Sequence, residues 1–179
     1  MLRLFAGISL PPQERLRLSL VAGGLPGIRW IDPGNYHVTL RFIGEIGEDL
    51  AADIDEALAR IRFTPFPLTI LGIGAFGPPV KPRVVYAGVE ASEPLYHLRE
   101  RVEIVLARAG IVPEGGRYVP HVTLGYAQTG AGPQVARFIE ANNLLRLDPF
   151  TVDRFELIRS TVTKSGSIYD AVAEYPARS

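Results

Sequence analysis

The sequence of 179 residues contains no cysteine, which excludes disulfide bonds, thiolate nucleophiles, zinc fingers and iron–sulfur clusters. No apolar run approaches the roughly 18–20 residues that a membrane-spanning helix needs. The apolar stretch 1–10 ends at Pro11 and Pro12 and lacks a small-residue cleavage site, so we expect no signal peptide. These absences predict a soluble, cytoplasmic protein with no membrane partner.

The chain also has no excess of charge of either sign, because 19 basic residues face 19 acidic ones. This balance argues against avid, nonspecific binding to a nucleic-acid backbone, although it leaves room for a small local anion site. Lys81 and Lys164 are the two lysines, so arginine, which suits bidentate phosphate binding, supplies most of the positive charge. The length and the 47% of hydrophobic residues fit one compact unit or two small, intimate lobes.

An internal repeat organises the sequence. The tetrapeptide His-Val-Thr-Leu occurs at 37–40 and again at 121–124. The hydrophobic periodicity predicts strands and helices in alternation. The predicted strands cover 2–10, 36–43, 66–76, 84–89, 118–126, 151–159 and 167–174, and the predicted helices cover 11–25, 50–61, 94–109 and 133–142. The offset between the two tetrapeptides superposes five of these elements in order, which predicts a duplicated unit.

The fold that follows is α+β and bilobal. We predict two β-α-β-α-β units with largely antiparallel sheets, backed by helices and facing each other across a central cleft. The whole chain, 1–179, forms a single domain in this interpretation. Its lobes span about 1–76 and 84–160, with a closing hairpin over 151–175.

The repeated tetrapeptide points to chemistry because side chains alternate between the two faces of a strand. His37 and Thr39 therefore share one face, as do His121 and Thr123, while the valines and leucines face the helices. Packing explains the apolar residues, but not a histidine and a threonine on the opposite face, twice, in a chain with three histidines. We predict that two imidazoles and two hydroxyls converge on one space.

This set of groups suits hydrolysis of a phosphodiester. One imidazole can accept the proton of the attacking water and the other can protonate the leaving oxygen, since both titrate near neutral pH. The threonine hydroxyls can donate to the non-bridging phosphate oxygens. Nothing in this scheme requires a metal or a cofactor, and the residues alone leave open which histidine is the acid.

Arg41 is a further candidate for phosphate binding. It lies four residues after His37, so strict alternation places it on the cleft face, where it would neutralise phosphate charge. Gly125 is the matching position in the second copy and would leave room for substrate. Tyr126 should then point away from the cleft, unless a bulge at Gly125 turns the strand.

Aromatic residues supply the remaining candidates. Phe42 and Tyr126 are predicted to bind substrate. Phe42, Phe76 and Tyr169 are candidate stacking platforms for a base, although each is first of all a core residue.

Several blocks of the sequence resemble the 2H phosphoesterase superfamily, which carries two His-x-Thr/Ser-x motifs. Within it the chain is most similar to the bacterial and archaeal RNA 2′,3′-cyclic phosphodiesterase family, also called 2′-5′ RNA ligases. The blocks are spread over nearly the whole chain. They are 3–8 with 10–12, 30 with 35–44, 82–86, 117–124, and 155–157 with 160, 166 and 169.

The resemblance implies metal-independent hydrolysis of a terminal 2′,3′-cyclic phosphate on RNA to a 2′-phosphomonoester, together with a bilobal fold. It assigns His37 as the proton donor to the leaving 3′ oxygen and His121 as the proton acceptor that activates water. In the reverse direction, it implies joining of tRNA halves through 2′,5′ linkages. The chain departs from many relatives at Tyr126, where they carry an arginine, and Arg41 is the residue expected to compensate.

Three alternatives remain open at this point. The protein could be a non-catalytic module that binds RNA ends, or a phosphodiesterase for a small cyclic phosphate that is not RNA. A metal hydrolase with His37 and His121 as ligands is disfavoured, because neither tetrapeptide contains a carboxylate. The expected partner is RNA with a 2′,3′-cyclic phosphate end, such as a tRNA half, or a cyclic nucleotide, and the protein is expected to be a monomer.

Overall fold

Four helices and ten strands follow one another along residues 1–179, all of which the computed structural model describes. The helices are α1 (Pro12–Val21), α2 (Glu48–Leu58), α3 (Glu93–Arg108) and α4 (Gly132–Asn142). The strands are β1 (Leu2–Ser9), β2 (Ile28–Trp30), β3 (His37–Ile46), β4 (Phe66–Leu68), β5 (Ile70–Phe76), β6 (Val84–Val89), β7 (His121–Ala127), β8 (Phe150–Val152), β9 (Arg154–Thr163) and β10 (Gly166–Pro176). None of the helices combines the length and apolarity that crossing a membrane requires.

The strands form one antiparallel sheet in the order β10-β9-β1-β3-β7-β6-β5, with β2 paired to β7, and β4 and β8 form a separate ribbon. The two strands that carry the repeated tetrapeptide are neighbours at the centre and meet at a single residue pair, Val38 with Val122. Beyond it β3 and β7 separate, and β2 pairs with the free end of β7. The α+β, antiparallel prediction is confirmed, with the two half-sheets joined at one seam.

The internal repeat is visible in the positions of the elements. The offset that carries His37 onto His121 also carries both ends of α2 onto the ends of α4, and both ends of the ribbon strand β4 onto those of β8. The first strands differ, because the residue paired with Thr39 is Gly7 and the residue paired with Thr123 is Tyr86. The constant offset would instead match Gly7 with Ala91, which lies beyond the end of β6. Helix α3 is longer than α1, and this extra length accommodates the difference.

The strand pairing crosses the predicted lobe boundaries of 1–76 and 84–160. Strand β5, from the first repeat, pairs with β6 of the second, and β9, from the second repeat, pairs with β1 of the first. Each half-sheet is therefore completed by the last strand of the other repeat. The closing hairpin consists of β9 and β10, with β8 set apart in the ribbon. Hydrophobic periodicity predicts the elements but not their partners.

The helices cover one face of the sheet and leave the other for polar side chains. Thirty-five buried residues form one continuous apolar cluster, which includes the stripe Leu95, Leu98, Val102 and Leu106 of α3. The Ser92 hydroxyl caps this helix by accepting from the Leu95 backbone N–H at 3.3 Å, as expected of a serine at this position. Burial of these apolar residues is the main stabilising contribution to the fold.

Candidate active site

The two tetrapeptides lie side by side and present the same face. Val38 and Val122 form the central pair and are fully buried, with Leu40 and Leu124, against the helices. The histidine and threonine of each copy alternate with these residues and lie on the opposite, open face. An antiparallel pair centred on the valines places the two histidines on a diagonal across the seam.

His37 is held in a closed environment. Its Nδ1 lies 2.7 Å from the Asn35 carbonyl oxygen, and because a carbonyl can only accept, Nδ1 carries the proton of the neutral ring. Its Nε2 then accepts from the Thr39 hydroxyl at 2.8 Å. Phe5 and Tyr169 flank the ring, with centroids 4.6 and 5.2 Å away.

The enclosure makes His37 hard to protonate. Burial lowers the pKa of His37 to about 4, the Asn35 carbonyl partly opposes this effect, and the charge of His121 lowers the pKa further. At neutral pH, the unliganded protein therefore holds His37 in its neutral form.

His121 has the same anchor and a more open surrounding. Its Nδ1 donates to the Val119 carbonyl oxygen at 2.7 Å, which leaves Nε2 available to a substrate or a water. Phe76 and Tyr86 flank this ring at 4.8 and 5.4 Å. Burial lowers the pKa of His121 as well, against the opposing effect of the Val119 carbonyl.

A glycine makes room for the tyrosine beside His121. A Cβ atom at Gly74 would lie 2.5 Å from the Tyr86 hydroxyl oxygen and 2.6 Å from the ring carbon that bears it. The Tyr86 ring therefore lies flat across β5 only because residue 74 has no side chain. Sequence periodicity does not single out Phe5 or Tyr86, since both read as ordinary strand residues.

A β-bulge corrects the predicted position of Arg41. Gly7 pairs with Thr39 and Ala6 with Arg41, which leaves Leu40 without a partner in β1. The extra residue reverses the alternation, so Arg41 lies on the helix side and is only 5% exposed. The prediction that Arg41 lies on the cleft face is therefore wrong, because it assumed a regular strand.

Arg41 instead anchors a loop. Its guanidinium binds the Glu103 carboxylate and the carbonyl oxygens of Phe42 and Val112, and the Glu114 carboxylate is 3.6 Å away. These contacts leave Arg41 no position from which to reach a phosphate on the open face. The expectation that it compensates for a missing arginine fails with this placement.

The same bulge occurs in the second copy. Tyr86 pairs with Thr123 and Val85 with Gly125, so Leu124 is the unpaired residue there. It turns Tyr126 onto the open face, where the side chain is 38% exposed. The sequence predicted this orientation only on condition of a bulge, and the bulge lies one residue earlier than Gly125.

Phe42 is the equivalent of Tyr126 in the first copy and is 57% exposed. Phe42, Thr39, Phe76 and His121 line a cavity of about 200 Å³ on the open face. The position of this cavity beside His121 is consistent with the prediction that Phe42 binds substrate. The role itself stays a prediction.

The loop that forms the far wall of this cavity is tied back to β3. The Tyr118 hydroxyl donates to the Thr39 carbonyl oxygen at 2.7 Å, and the Arg99 guanidinium lies 4.9 Å from the Tyr118 ring centroid. Burial raises the pKa of Tyr118, so its hydroxyl stays a donor at physiological pH. No group of three or more histidine and carboxylate side chains forms a metal-binding cluster in the chain.

Comparisons with known proteins bear on this arrangement. A family model described as the 2′-5′ RNA ligase superfamily matches residues 32–164. An RNA 2′,3′-cyclic phosphodiesterase of Aeropyrum pernix is 36% identical over 92% of this chain and 94% of its own length. One of Archaeoglobus fulgidus is 31% identical over 94% and 96%.

The fold has also been seen before. The crystal structure of E. coli LigT complexed with 3′-AMP superposes with a TM-score of 0.79, covering 99% of each chain at 23% sequence identity. At this level of identity, the likeness establishes the shared fold.

Proposed function

The chain belongs to the 2′-5′ RNA ligase superfamily, and from this membership and the site geometry we propose that it is an RNA 2′,3′-cyclic phosphodiesterase that works without a metal ion. The observation that carries the proposal is the pair of imidazoles on adjacent strands, each anchored through Nδ1 to a backbone carbonyl. Such an anchor fixes the tautomer and orients Nε2 for proton transfer.

In the proposed reaction, a water attacks phosphorus and the bond to the 3′ oxygen breaks. His121 accepts a proton from the water and His37 gives one to the leaving 3′ oxygen. The 2′ oxygen keeps its bond, so the product is a 2′-phosphomonoester. Thr39 and Thr123 donate to the non-bridging oxygens, where negative charge lies in the transition state.

The assignment of His37 as donor requires substrate to recharge it. Its pKa near 4 in the unliganded protein favours the neutral form, but a phosphate anion beside Nε2 stabilises the imidazolium and raises the pKa. Protonated Nε2 can no longer accept from Thr39 and donates its proton to the leaving 3′ oxygen instead. The Thr39 hydroxyl proton, which Nε2 accepts in the neutral state, becomes free to bind the phosphate.

Phosphorus NMR of the product from a short oligoribonucleotide with a terminal 2′,3′-cyclic phosphate tests the proposal. We expect the signal of a 2′-phosphate product, and we expect EDTA to leave the rate of its formation unchanged. His37→Ala and His121→Ala should each lower turnover by about 1,000-fold or more, whereas His97→Ala, a change of the exposed third histidine on α3, serves as the matched control. Absence of turnover by the folded wild-type protein, or activity that chelator removes and metal restores, would overturn it.

The finer properties remain predictions. They are action on tRNA halves and their joining through 2′,5′ linkages, action on free cyclic nucleotides, a monomeric state and a cytoplasmic location. Tight binding of RNA ends without turnover would instead favour the non-catalytic module. Turnover confined to a small cyclic phosphate that is not RNA would favour a phosphodiesterase specific for such small molecules.

A further inference from the structure

An arginine that the mechanism does not use lies on the open face of the sheet. Arg29 of β2 pairs directly with Tyr126 of β7, and its guanidinium lies 5.0 Å from the Tyr126 ring centroid. Paired residues in an antiparallel ladder project to the same side. Since the bulge at Leu124 turns Tyr126 onto the open face, Arg29 is on that face too.

This arginine borders a groove distinct from the cavity beside His121. The groove has a volume of about 150 Å³, and its walls include Arg29, Tyr126, Asn35, Ser167 and Tyr169. The Asn35 amide donates to the Ser167 carbonyl oxygen at 2.7 Å and closes one end.

The groove is connected to His37 through shared residues. The Tyr169 ring packs edge-on against the His37 imidazole at 5.2 Å, and the Asn35 carbonyl is the partner of His37 Nδ1. A ligand that reaches from His37 along the sheet away from His121 therefore enters this groove.

The charges of the groove suit an anion. Arg29 forms no ion pair with a carboxylate, in contrast to Arg41 and Arg99. Asp32 is the one carboxylate in the wall, and it is engaged by the Gly34 backbone N–H at 2.7 Å. The guanidinium thus stays free to bind an anion with two parallel hydrogen bonds, with the ring face of Tyr126 below it.

The direction in which RNA leaves the reaction centre follows from the proposed function. In-line displacement sets the attacking water, near His121, opposite the leaving 3′ oxygen, near His37. The ribose carries the leaving oxygen, so the ribose and the chain attached to its 5′ carbon lie on the His37 side. We propose that Arg29, supported by Tyr126, binds the internucleotide phosphate 5′ to the terminal nucleotide and so favours RNA ends over cyclic mononucleotides.

A ratio of rates tests this subsite. The two substrates are adenosine 2′,3′-cyclic phosphate, which lacks the internucleotide phosphate, and the dinucleotide ApA with a terminal 2′,3′-cyclic phosphate, which has it. Wild-type protein should process the dinucleotide with the higher kcat/KM. Arg29→Gln should lower the ratio of the dinucleotide to the mononucleotide kcat/KM by about tenfold, mainly through KM, as expected for one hydrogen-bonded charge.

Arg117→Gln is the matched variant, since Arg117 is another exposed arginine but lines the cavity beside His121. It should leave the ratio as in wild type. An unchanged ratio in Arg29→Gln, or a lowered ratio in Arg117→Gln alone, would overturn the subsite and place the RNA on the other side. A wild-type protein that hydrolyses neither substrate would instead contradict the proposed function on which this inference rests.

Discussion

The two halves of the site start from the same four residues and the same bulge, yet hold their histidines differently. His37 is enclosed by Phe5 and Tyr169, and its Nε2 is occupied by the Thr39 hydroxyl. His121 lines an open cavity, and its Nε2 has no partner in the chain. Duplication of a strand provides two identical groups, and the neighbouring elements make them unequal.

The neighbours differ because the half-sheets have different borders. Phe76 of β5 packs against His121, but the equivalent position in the second repeat is Ser160 of β9. Tyr169, which pairs with Ser160 from the additional strand β10, supplies the aromatic ring for His37. A strand that only one half possesses therefore sets the environment of the more enclosed histidine.

The largest effect on stability is expected just after the bulge, where the first copy has an arginine, Arg41, and the second has a glycine, Gly125. Arg41→Ala should lower the free energy of unfolding by about 3 kcal/mol, because it leaves Glu103 and two carbonyl oxygens without their buried partner. Urea denaturation measures the change. A loss below about 0.5 kcal/mol would show that Arg41 behaves as a solvated surface residue.

At Gly125, the position equivalent to Arg41, a substitution is expected to destabilise the fold because it adds atoms to a crowded space, not because it removes contacts. A Cβ there would lie 2.9 Å from Ile28 Cγ2 and 3.0 Å from the Arg29 carbonyl oxygen, so Gly125→Ala should cost about 1–3 kcal/mol. Gly115→Ala is the control, because Gly115 lies outside the helices and strands and nothing lies within 4 Å of its Cβ position. Equal stability of the two glycine variants would contradict the close packing of β2 against β7.

These two positions show where sequence reasoning succeeds and fails. The shared face of His37 and Thr39 follows from the alternation of side chains, because the two residues are only two positions apart. The constant offset of the repeat also predicts that α2 and α4 occupy equivalent positions after the two tetrapeptides. Arg41 is misplaced by the same alternation because one unpaired residue, Leu40, reverses every side chain beyond it. Nothing in the local pattern marks that bulge, since Leu40 fits the core as well as a regular strand residue would.

Pairing of distant strands is equally hidden from the sequence. Phe5 beside His37 and Tyr86 beside His121 reach their positions through β1 and β6, which border the tetrapeptide strands. Arg29 reaches the site on a strand of 3 residues, which is too short to give a periodic signal. The shared face of the two histidine–threonine pairs could thus be predicted, whereas the residues that surround them depend on tertiary contacts.

The threonines give the next effect in size. Thr39→Val and Thr123→Val should each lower kcat by about 30-fold to 100-fold, the cost of losing one donor to the transition-state charge. Only Thr39 bonds to a histidine, so Thr39→Val should also move the pH dependence of kcat/KM, and Thr123→Val should not. Identical pH profiles for the two variants would show that the Thr39–His37 contact plays no part in the reaction.

The smallest effect is a difference in acid stability. The folded-state pKa of His37, near 4, lies below the ordinary value of about 6.5, so the unfolded chain binds the proton more readily. The stability tied to neutral His37 is complete above about pH 6.5 and falls as the pH drops toward 4, by at most about 1.4 kcal/mol per pH unit.

His37→Asn should therefore reduce the loss of unfolding free energy between pH 7 and pH 5. His121→Asn, whose histidine is less enclosed, should reduce it less. Urea denaturation at the two pH values makes the comparison, because carboxylate titration is common to all the variants. A larger effect of His121→Asn would contradict the comparison, because it would mean that His121, and not His37, is the more enclosed histidine.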